Sequence, residues 1–509
     1  MSRRWFGTDG IRARAGEPPL VPAFLTRLGR ALGEFAAGQP APQADPRPAG
    51  PPVAGRTVAA SPGAPGAAPA AEAEHDGRLV LIARDTRESG PAIVQALCTG
   101  LSAAGARVLD LGVLPTAGLP VAMRARGAAL GIVVSASHNP WADNGIKIFG
   151  AGGRKLTDDA EHGLESAVVA LGGVSSLTTA ETTALPATAF AAVETHDGAA
   201  DYRAWLLGRF AELDLSGFRI AIDCANGAAS TTAAAVLAGL GARVTSLFDT
   251  PDGRNINAGC GSTHLTPLAD CLRTGRDDFG LAFDGDADRV LGVDRSGRTC
   301  DGDHMLGFLG PLLARRGELP DHVVVASVMS NLGLEKLLAQ HGVRMLRCPV
   351  GDRHVLHALR EGAYGLGGEA AGHLLFREGG HYIGDGLFTA IKLLGAMAAS
   401  GARLPQLIDA VPRIPQVLLN VPVASRPPVE GLRRLAARVV EEQGRHGADL
   451  RILLRYSGTE NLARVMVEGV DGAFVERLAA ELAELWTAEI AEAATAAARG
   501  PGRSSPPAR

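Results

Sequence analysis

Aromatic residues are scarce in this 509-residue chain, 4% in all, and there is no surplus of positive charge: 50 Lys and Arg stand against 54 Asp and Glu, a formal net charge of -4. With no basic field to draw in phosphate backbones and few ring faces for bases to stack on, nucleic-acid binding is excluded as a main role. The six cysteines (Cys98, Cys224, Cys260, Cys271, Cys300 and Cys348) are scattered without a CxxC pair. Neither a zinc site nor a dithiol redox centre is expected from them, and a reducing cytoplasm is the expected setting. No apolar run approaches about 18 residues, so no membrane partner is expected. The opening MSRRWF carries the two arginines of an export signal, but Asp9, Arg12, Arg14 and Glu17 follow where an apolar stretch would have to lie. The chain is expected to be soluble and not exported.

What is present is a globular composition, 46% hydrophobic and 20% charged, long enough for three to four domains at roughly 150 residues each. After Pro22, the spacing of Leu25, Leu28, Leu32 and Phe35 predicts an amphipathic helix ending near Gly38. Between 38 and 77 the chain is mostly Ala, Pro and Gly, which reads as a disordered insertion. "LVLIARD" (79–85) then predicts a strand, followed by a helix over 90–104, a strand over 107–111, a helix near 117–126 and a strand over 129–134. The rhythm returns at "FRIAIDCANG" (218–227), with a helix to Gly239 and a strand over 242–248, and at "HVVVASV" (322–328), with a helix over 332–341 and a strand over 343–347. Strand–helix alternation implies sheets with parallel strands covered on both faces. The last segment differs: strands over 416–423, 450–458 and 462–469 alternate with helices over 429–442 and 472–492, and beyond Arg499 the tail reads as disordered. The expected fold is therefore α/β, with three similar α/β domains and a smaller C-terminal α+β domain. Their expected spans are 1–180, 181–302, 303–414 and 415–498, with a tail over 499–509.

Four loops could carry chemistry. "FDGDADRV" (283–290) sets Asp284, Asp286 and Asp288 at alternate positions, so that their carboxylates converge in an extended or looped backbone. Two like charges about 4 Å apart repel by about 4 kcal/mol at an effective dielectric of 20, which calls for a cation between them. All-oxygen ligands completed by a phosphate oxygen suit magnesium; the competing reading is a solvated Asp/Gly turn. Arg289, next in line, suits a bidentate grip on phosphate. "RYSGTEN" (455–461) offers Arg455, the hydroxyls of Ser457 and Thr459, and Gly458, whose backbone can turn N–H groups inward on a phosphate, or simply a hairpin turn. "VVSASHNPWADNG" (133–145) places Ser137 and His138 at the carboxyl end of a strand, where α/β folds bind ligands. A serine-hydrolase reading is weaker, because neighbouring side chains on extended backbone point apart and no GxSxG elbow is present. "GGEAAGH" (367–373) supplies Glu369 and His373 in a Gly-rich loop, where the carboxylate could accept sugar hydroxyls or the loop simply cap strand and helix.

Together, and in this order, the four loops resemble those of the α-D-phosphohexomutase superfamily: phosphoserine, metal, sugar-recognition and phosphate loops, one per domain around a central cleft. "FGTDGIR" (6–12), "NINAGCGSTH" (255–264) and "VGDRHV" (350–355) resemble the glucosamine branch of that superfamily. The resemblance implies an isomerase that interconverts glucosamine 6-phosphate and glucosamine 1-phosphate and so feeds UDP-N-acetylglucosamine synthesis. It implies that Ser137 carries a phosphoryl group, with one Mg2+ per chain held by Ser137, Asp284, Asp286 and Asp288. A glucosamine or glucose 1,6-bisphosphate would serve as intermediate and activator. Arg12, Lys147 and His373 would act at the reacting phosphoryl group, Lys147 as an acid/base if its pKa is lowered. His138, Arg289, Arg353, Glu369, Arg455, Ser457, Gly458 and Thr459 would bind the hexose phosphate, in a monomer or homodimer. The chain departs from the branch at Ala13, Pro349, Ala370, Ala371 and Asn461. Because Ala371 cannot donate to a sugar hydroxyl, a phosphoglucomutase or phosphomannomutase specificity stands as the alternative. A sugar-phosphate binding protein without turnover would leave Ser137, the three aspartates and Arg455 without a task, and a phosphatase would need to admit water to the phosphoserine, which domain closure should prevent.

Overall fold

The computed structural model describes residues 5–7, 9–39, 74–173, 193–457 and 461–499. It divides into two compact units, one made of Met1–Met329 with His341–Ala410 and the other of Ser330–Gln340 with Val411–Arg509.

Unit one holds three sheets. The first uses β1 (Phe6–Gly7), β2 (Gly10–Arg14), β3 (Asp76–Arg84), β4 (Arg107–Val113), β5 (Ala128–Val134), β6 (Asp143–Gly150), β7 (Arg154–Lys155) and β8 (Glu194–Thr195). Their order is β1-β2-β6-β5-β3-β4-β8, with β7 paired to β6. β5, AALGIVV, is buried along its whole length, as expected of a central strand covered on both faces. Helices Pro22–Ala37 and Gly90–Ala103 cross closely because each offers a glycine at the contact. A Cβ on Gly29 would stand 2.2 Å from the Leu97 carbonyl oxygen, and one on Gly100 2.0 Å from that of Thr26.

The second sheet joins β9 (Arg219–Asp223), β10 (Arg243–Leu247), β11 (Phe279–Phe283), β12 (Val290–Asp294) and β13 (Thr299–Cys300) in the order β10-β9-β11-β12-β13. The third joins β14 (Val323–Ser327), β15 (Arg344–Cys348), β16 (Leu366–Gly368), β17 (Leu374–Glu378) and β18 (His381–Gly384) in the order β15-β14-β16-β17-β18. One scheme repeats three times, as β4-β3-β5-β6, β10-β9-β11-β12 and β15-β14-β16-β17: three parallel strands, then a fourth that runs antiparallel. The connection from third to fourth strand spans 135–142, 284–289 and 369–373 in turn. Three of the four candidate loops are thus the same loop of three like sheets, each at the carboxyl end of a parallel strand.

Unit two has one antiparallel sheet of β19 (Gln416–Pro422), β20 (Leu450–Tyr456) and β21 (Leu462–Gly469), ordered β19-β21-β20. Its core gathers around Trp486, fully buried, whose Nε1 donates to the Tyr456 hydroxyl at 3.2 Å.

Several elements differ from expectation. The strand expected over 218–227 stops at Asp223, whose carboxylate accepts from the Ala225 and Gly261 N–H groups at 2.8 Å each. Ala225 and Asn226 then turn the chain with φ of 54° and 48°. The helix expected over 429–442 runs Arg433–His446, after a short turn at Val429–Gly431 that follows Pro427 and Pro428. The terminal helix continues to Arg499 because AEAATAAAR is rich in the best helix former. Of the expected insertion over 38–77, Gly38 and Gln39 follow the first helix, and Asp76 and Gly77 already belong to β3. Residues 40–73 and 500–509 lie outside the described residues. β8 falls in the segment expected to open the second domain, yet it pairs with β4 of the first sheet. No single helix among the described residues is long and apolar enough to cross a membrane.

Candidate active site

The chain leaves β5 at Val134 and enters a buried hydrogen-bond frame. Ser135 Oγ donates to Asp85 Oδ2 at 2.6 Å and accepts from the Ser137 N–H at 3.0 Å. Arg87, fully buried, pairs with Asp85 through Nε at 2.9 Å and donates Nη2 to the carbonyls of Ser137 and Asn139, 2.9 Å each, and Nη1 to that of Pro140. Asn257 Nδ2 donates to the same two carbonyls, at 2.9 and 3.1 Å, which gives "NINAGCGSTH" a physical task. These donors hold Ser137 in the left-handed region at φ 52°, a conformation worth about 1–3 kcal/mol of strain for a residue with a side chain.

The turn aims Ser137 Oγ at Asp284 Oδ2, to which it donates at 2.6 Å. It also places His138 Nδ1 3.3 Å from Ser137 Oγ. The expectation that these neighbouring side chains point apart is therefore corrected, because it assumed extended backbone. The serine proton is nevertheless committed to Asp284, so the serine belongs to the carboxylate cluster.

Asp284, Asp286 and Asp288 are all buried, and each offers an oxygen within 4.8 Å of the others. Gly285 lets this loop touch the serine loop, since a Cβ there would lie 2.6 Å from the Ser137 carbonyl oxygen; at Gly227 a Cβ would lie 2.3 Å from the Gly285 carbonyl oxygen. Thr116 Oγ1 donates to Asp286 Oδ2 at 2.5 Å, while Oδ1 of Asp286 and Oδ1 of Asp288 are buried without a hydrogen-bond partner. Burial, with Asp288 and Asp286 beside it, pushes the Asp284 carboxyl well above its ordinary range. Burial opposes ionisation of Asp288 too, but Lys147 and His373 outweigh it and hold that carboxyl well below its ordinary range. Crowded carboxylates with two buried oxygens that make no hydrogen bond are a donor set suited to a hard divalent cation.

Around this triad the structure gathers Arg12, Lys147, Arg289, Glu369 and His373. Arg12 Nη2 lies 2.5 Å from Asp9 Oδ2, and its Nη1 3.4 Å from both the Ala136 carbonyl and Asn139 Oδ1. The Arg289 N–H donates to Asp284 Oδ1 at 3.2 Å. Glu369 Oε1 accepts from the Gly351 N–H at 2.9 Å. His373 donates Nδ1–H to the Asp288 carbonyl at 2.9 Å. Burial would depress its pKa, but Asp288 and Asp352 hold it up at about 9.

Two expectations change. Lys147 Nζ lies 2.7 Å from Asp286 Oδ2 and 3.3 Å from Asp288 Oδ2. Against the effect of burial, Asp286, Asp9 and Asp288 raise its pKa well above the ordinary value, so the lowered pKa expected of an acid/base lysine is not found. Arg353 turns to helix Asp158–Ala170, where it pairs with Asp158 at 2.7 Å and with buried Glu161. Its guanidinium is paired with carboxylates of that helix. Its neighbour Asp352 faces the site instead, paired with Lys155 and 3.9 Å from His373 Nε2. Asp85, Arg87, Thr116, Asn257, Asp9, Lys155 and Asp352 were not singled out in the sequence; only Asp9, Asn257 and Asp352, inside the resembling segments, carried any signal there.

In unit two, Arg455 on β20 sits directly opposite Arg464 on β21. Burial and this second guanidinium both lower the Arg455 pKa. Like charges directly across a pair of strands repel. Ser457 is buried and its N–H donates to the Leu462 carbonyl at 2.8 Å; Gly458 and Thr459 lie outside the described residues.

Comparison with known proteins agrees with this geometry. Four family models match in order: phosphoglucomutase/phosphomannomutase alpha/beta/alpha domain I over 64–172, domain II over 206–297, domain III over 301–414 and the C-terminal domain over 418–485. Among solved structures, a phosphoglucomutase/phosphomannomutase family protein from Burkholderia thailandensis shares the fold at TM-score 0.72 and 24% identity, covering 96% of this chain and 98% of that one. So does Aspergillus fumigatus N-acetylphosphoglucosamine mutase, solved with GlcNAc-6P and magnesium, at TM-score 0.56 and 18% identity over 80% and 82% of the two chains. The three like sheets and the serine facing an acidic triad are those of a phosphohexomutase, an isomerase that moves a phosphoryl group within a sugar. The phosphoglucosamine mutase of Deinococcus radiodurans is 40% identical over 494 residues, covering 95% of this chain and 97% of the relative, and the chain belongs to that family.

Proposed function

We propose that the chain interconverts glucosamine 6-phosphate and glucosamine 1-phosphate through phosphorylated Ser137 and a glucosamine 1,6-bisphosphate intermediate. The observation that carries this reading is the 2.6 Å hydrogen bond from Ser137 Oγ to Asp284 Oδ2, made by a serine strained into position at the mouth of an acidic triad. In the forward half-reaction the bond from phosphorus to Ser137 Oγ breaks and one from phosphorus to the sugar hydroxyl oxygen forms, and the proton that leaves the sugar hydroxyl is balanced by one taken up on the freed Ser137 Oγ. The bisphosphate then turns over and returns its other phosphoryl group to Ser137. Asp284, Asp286, Asp288 and an oxygen on Ser137 would hold one magnesium ion, which supplies neutralisation of the charge carried by the transferring group.

The chain's own residues orient and protonate. Arg12 and Arg289 supply guanidinium groups beside the serine loop and triad, and His138 a ring nitrogen 3.3 Å from Ser137 Oγ. Lys147, held protonated among carboxylates by a pKa raised well above its ordinary value, stabilises developing charge as a fixed cation rather than as an acid or base. His373 Nε2 is the proton carrier. Arg455, with Arg464 beside it, Ser457, Gly458 and Thr459 grip the phosphate that is not reacting, whichever end of the sugar bears it.

Identity of 40% to a phosphoglucosamine mutase across almost the whole chain supports the amino sugar. Ala371, exposed and without a donor, favours the second reading, glucose or mannose phosphate. The test is kcat/KM with magnesium and a trace of 1,6-bisphosphate for glucosamine 1-phosphate, glucose 1-phosphate and mannose 1-phosphate. A preference of about a hundredfold or more for glucosamine 1-phosphate is expected, since a site built to pair a polar group rejects analogues that lack it. A preference for a neutral hexose phosphate overturns the sugar assignment. In the same assay, chelation is expected to abolish turnover and magnesium to restore it; turnover indifferent to chelator removes the metal from the reading.

A further inference from the structure

Lys147 and His373 belong to a larger arrangement than the triad. Lys147 Nζ lies 3.3 Å from Asp9 Oδ2, and Asp9 Oδ1 lies 3.0 Å from Lys155 Nζ. Lys155 pairs with Asp352, whose Oδ2 is 3.9 Å from His373 Nε2. His373 Nδ1 is 3.7 Å from Asp288 Oδ1, and Asp288 Oδ2 is 3.3 Å from Lys147 Nζ. The path closes: three carboxylates and three cationic groups alternate around a ring. All three sheets of unit one contribute. Asp9 lies between β1 and β2, Lys147 is on β6 and Lys155 on β7; Asp288 precedes β12; Asp352 opens helix Asp352–Glu361, and His373 precedes β17.

We propose that Asp9, Lys155 and Asp352 are positioning residues for phosphoryl transfer, holding Lys147 and His373 at the edge of the acidic triad through this ring of alternating charge. The inference rests on the phosphohexomutase reading above and adds three residues that the reading does not use. Lys147 is pulled one way by Asp286 and Asp288 and the other way by Asp9, so its place is a balance of opposed attractions. Without Asp9 the pull of Asp286 and Asp288, which Lys147 already touches through their Oδ2 atoms, would go unopposed. Asp9 also holds Arg12, so one carboxylate registers both cations beside the serine loop. Asp352 does the same for the far side of the His373 ring, and Lys155 pairs with Asp9 and Asp352 together. These three side chains are largely withdrawn from water, at 25%, 21% and 20% exposure, so the attractions are screened less than those of surface pairs.

The test uses the full chain with Lys155→Met, Lys155→Arg, Asp352→Asn and the double variant Lys155→Met/Asp352→Asn. It measures kcat and KM for glucosamine 1-phosphate and glucose 1-phosphate, with melting temperature as a check on folding. Because misplacing a reacting group by about 1 Å can cost about 100-fold, each neutralising substitution is expected to lower kcat by about 10- to 100-fold. KM should move by less than about threefold, the split expected when only the transition-state arrangement suffers. Lys155→Arg should recover most of kcat, and the double variant should be no slower than the slower single, because both break one ring. Folded single variants with kcat within about twofold of the parent, losses that multiply in the double variant, or a rise in KM alone would each overturn the proposal. If Lys155→Met does not fold, the isosteric Asp352→Asn and the charge-preserving Lys155→Arg decide it by the same criteria. An active parent with undiminished variants overturns the ring alone; a parent silent on every hexose phosphate overturns the functional reading and the ring with it.

Discussion

Ser137→Ala is expected to lose turnover by at least about four orders of magnitude, the scale seen when a covalent nucleophile is removed, while the fold survives. Alanine occupies the left-handed region no more comfortably than serine, and the frame that imposes φ 52° binds backbone atoms, not the hydroxyl: Arg87 and Asn257 both donate to the Ser137 carbonyl. What disappears is the hydrogen bond from Oγ to Asp284, worth about 1–3 kcal/mol with a charged acceptor. That carboxyl is already pushed toward its neutral form by burial and by Asp288 and Asp286, which softens the loss. Turnover with magnesium and 1,6-bisphosphate measures the first effect, a melting curve the second, and a phosphopeptide map should find phosphate on Ser137 in the parent. Near-normal turnover by the alanine variant would end the phosphoserine assignment.

Arg87→Leu is expected to damage both stability and turnover. The guanidinium is fully buried, balances buried Asp85 and feeds three carbonyls of the serine loop. Removing one partner of a buried ion pair costs about 3–5 kcal/mol, because the other is left uncompensated. Burial already raises the Asp85 pKa against the pull of Arg87, so without the arginine this carboxyl should take up a proton. The double variant Arg87→Leu/Asp85→Leu removes the orphaned charge and should recover part of the stability in denaturant titration. It should not recover turnover, since the carbonyls of Ser137 and Asn139 keep only Asn257 of their two donors, that of Pro140 loses Arg87, and the serine loop is free to leave φ 52°. Recovery of both would show that the pair serves folding and that Asn257 alone suffices to set the loop.

Much of this molecule is legible in its sequence because it depends on local pattern. Apolar runs such as LVLIA in β3 and the fully buried β5 announce central strands, since a strand covered on both faces must be apolar along its length. The carboxylates of Asp284, Asp286 and Asp288 converge because a two-residue spacing in a short loop needs no distant help. The fourth, antiparallel strand of each sheet was less legible. DNGIKIFG in β6 looks polar at its start, yet it is buried from Asn144 onward, because it lies inside the sheet, with β5 on one side and β2, from the start of the chain, on the other.

The conformations and charge states at the site depend on distant partners. Ser137 and His138 look like neighbours on a strand, and only donors 50 and 120 residues away bend the chain so that both face one point. Lys147 looks like a lysine awaiting a lowered pKa, and only when Asp9, Asp286 and Asp288 close on it does the shift take the opposite sign. Arg353 and Asp352 are adjacent in sequence, and which of them meets the site is settled by Asp158 and Glu161 on another helix. By itself the sequence determined the α/β class, the family and the four candidate loops, because those are properties of composition, period and short motifs. The tertiary structure alone decided the conformation of the serine, the charge state of the lysine and the ring that joins three sheets, because a side chain's electrostatics are set by groups that the chain brings together only on folding.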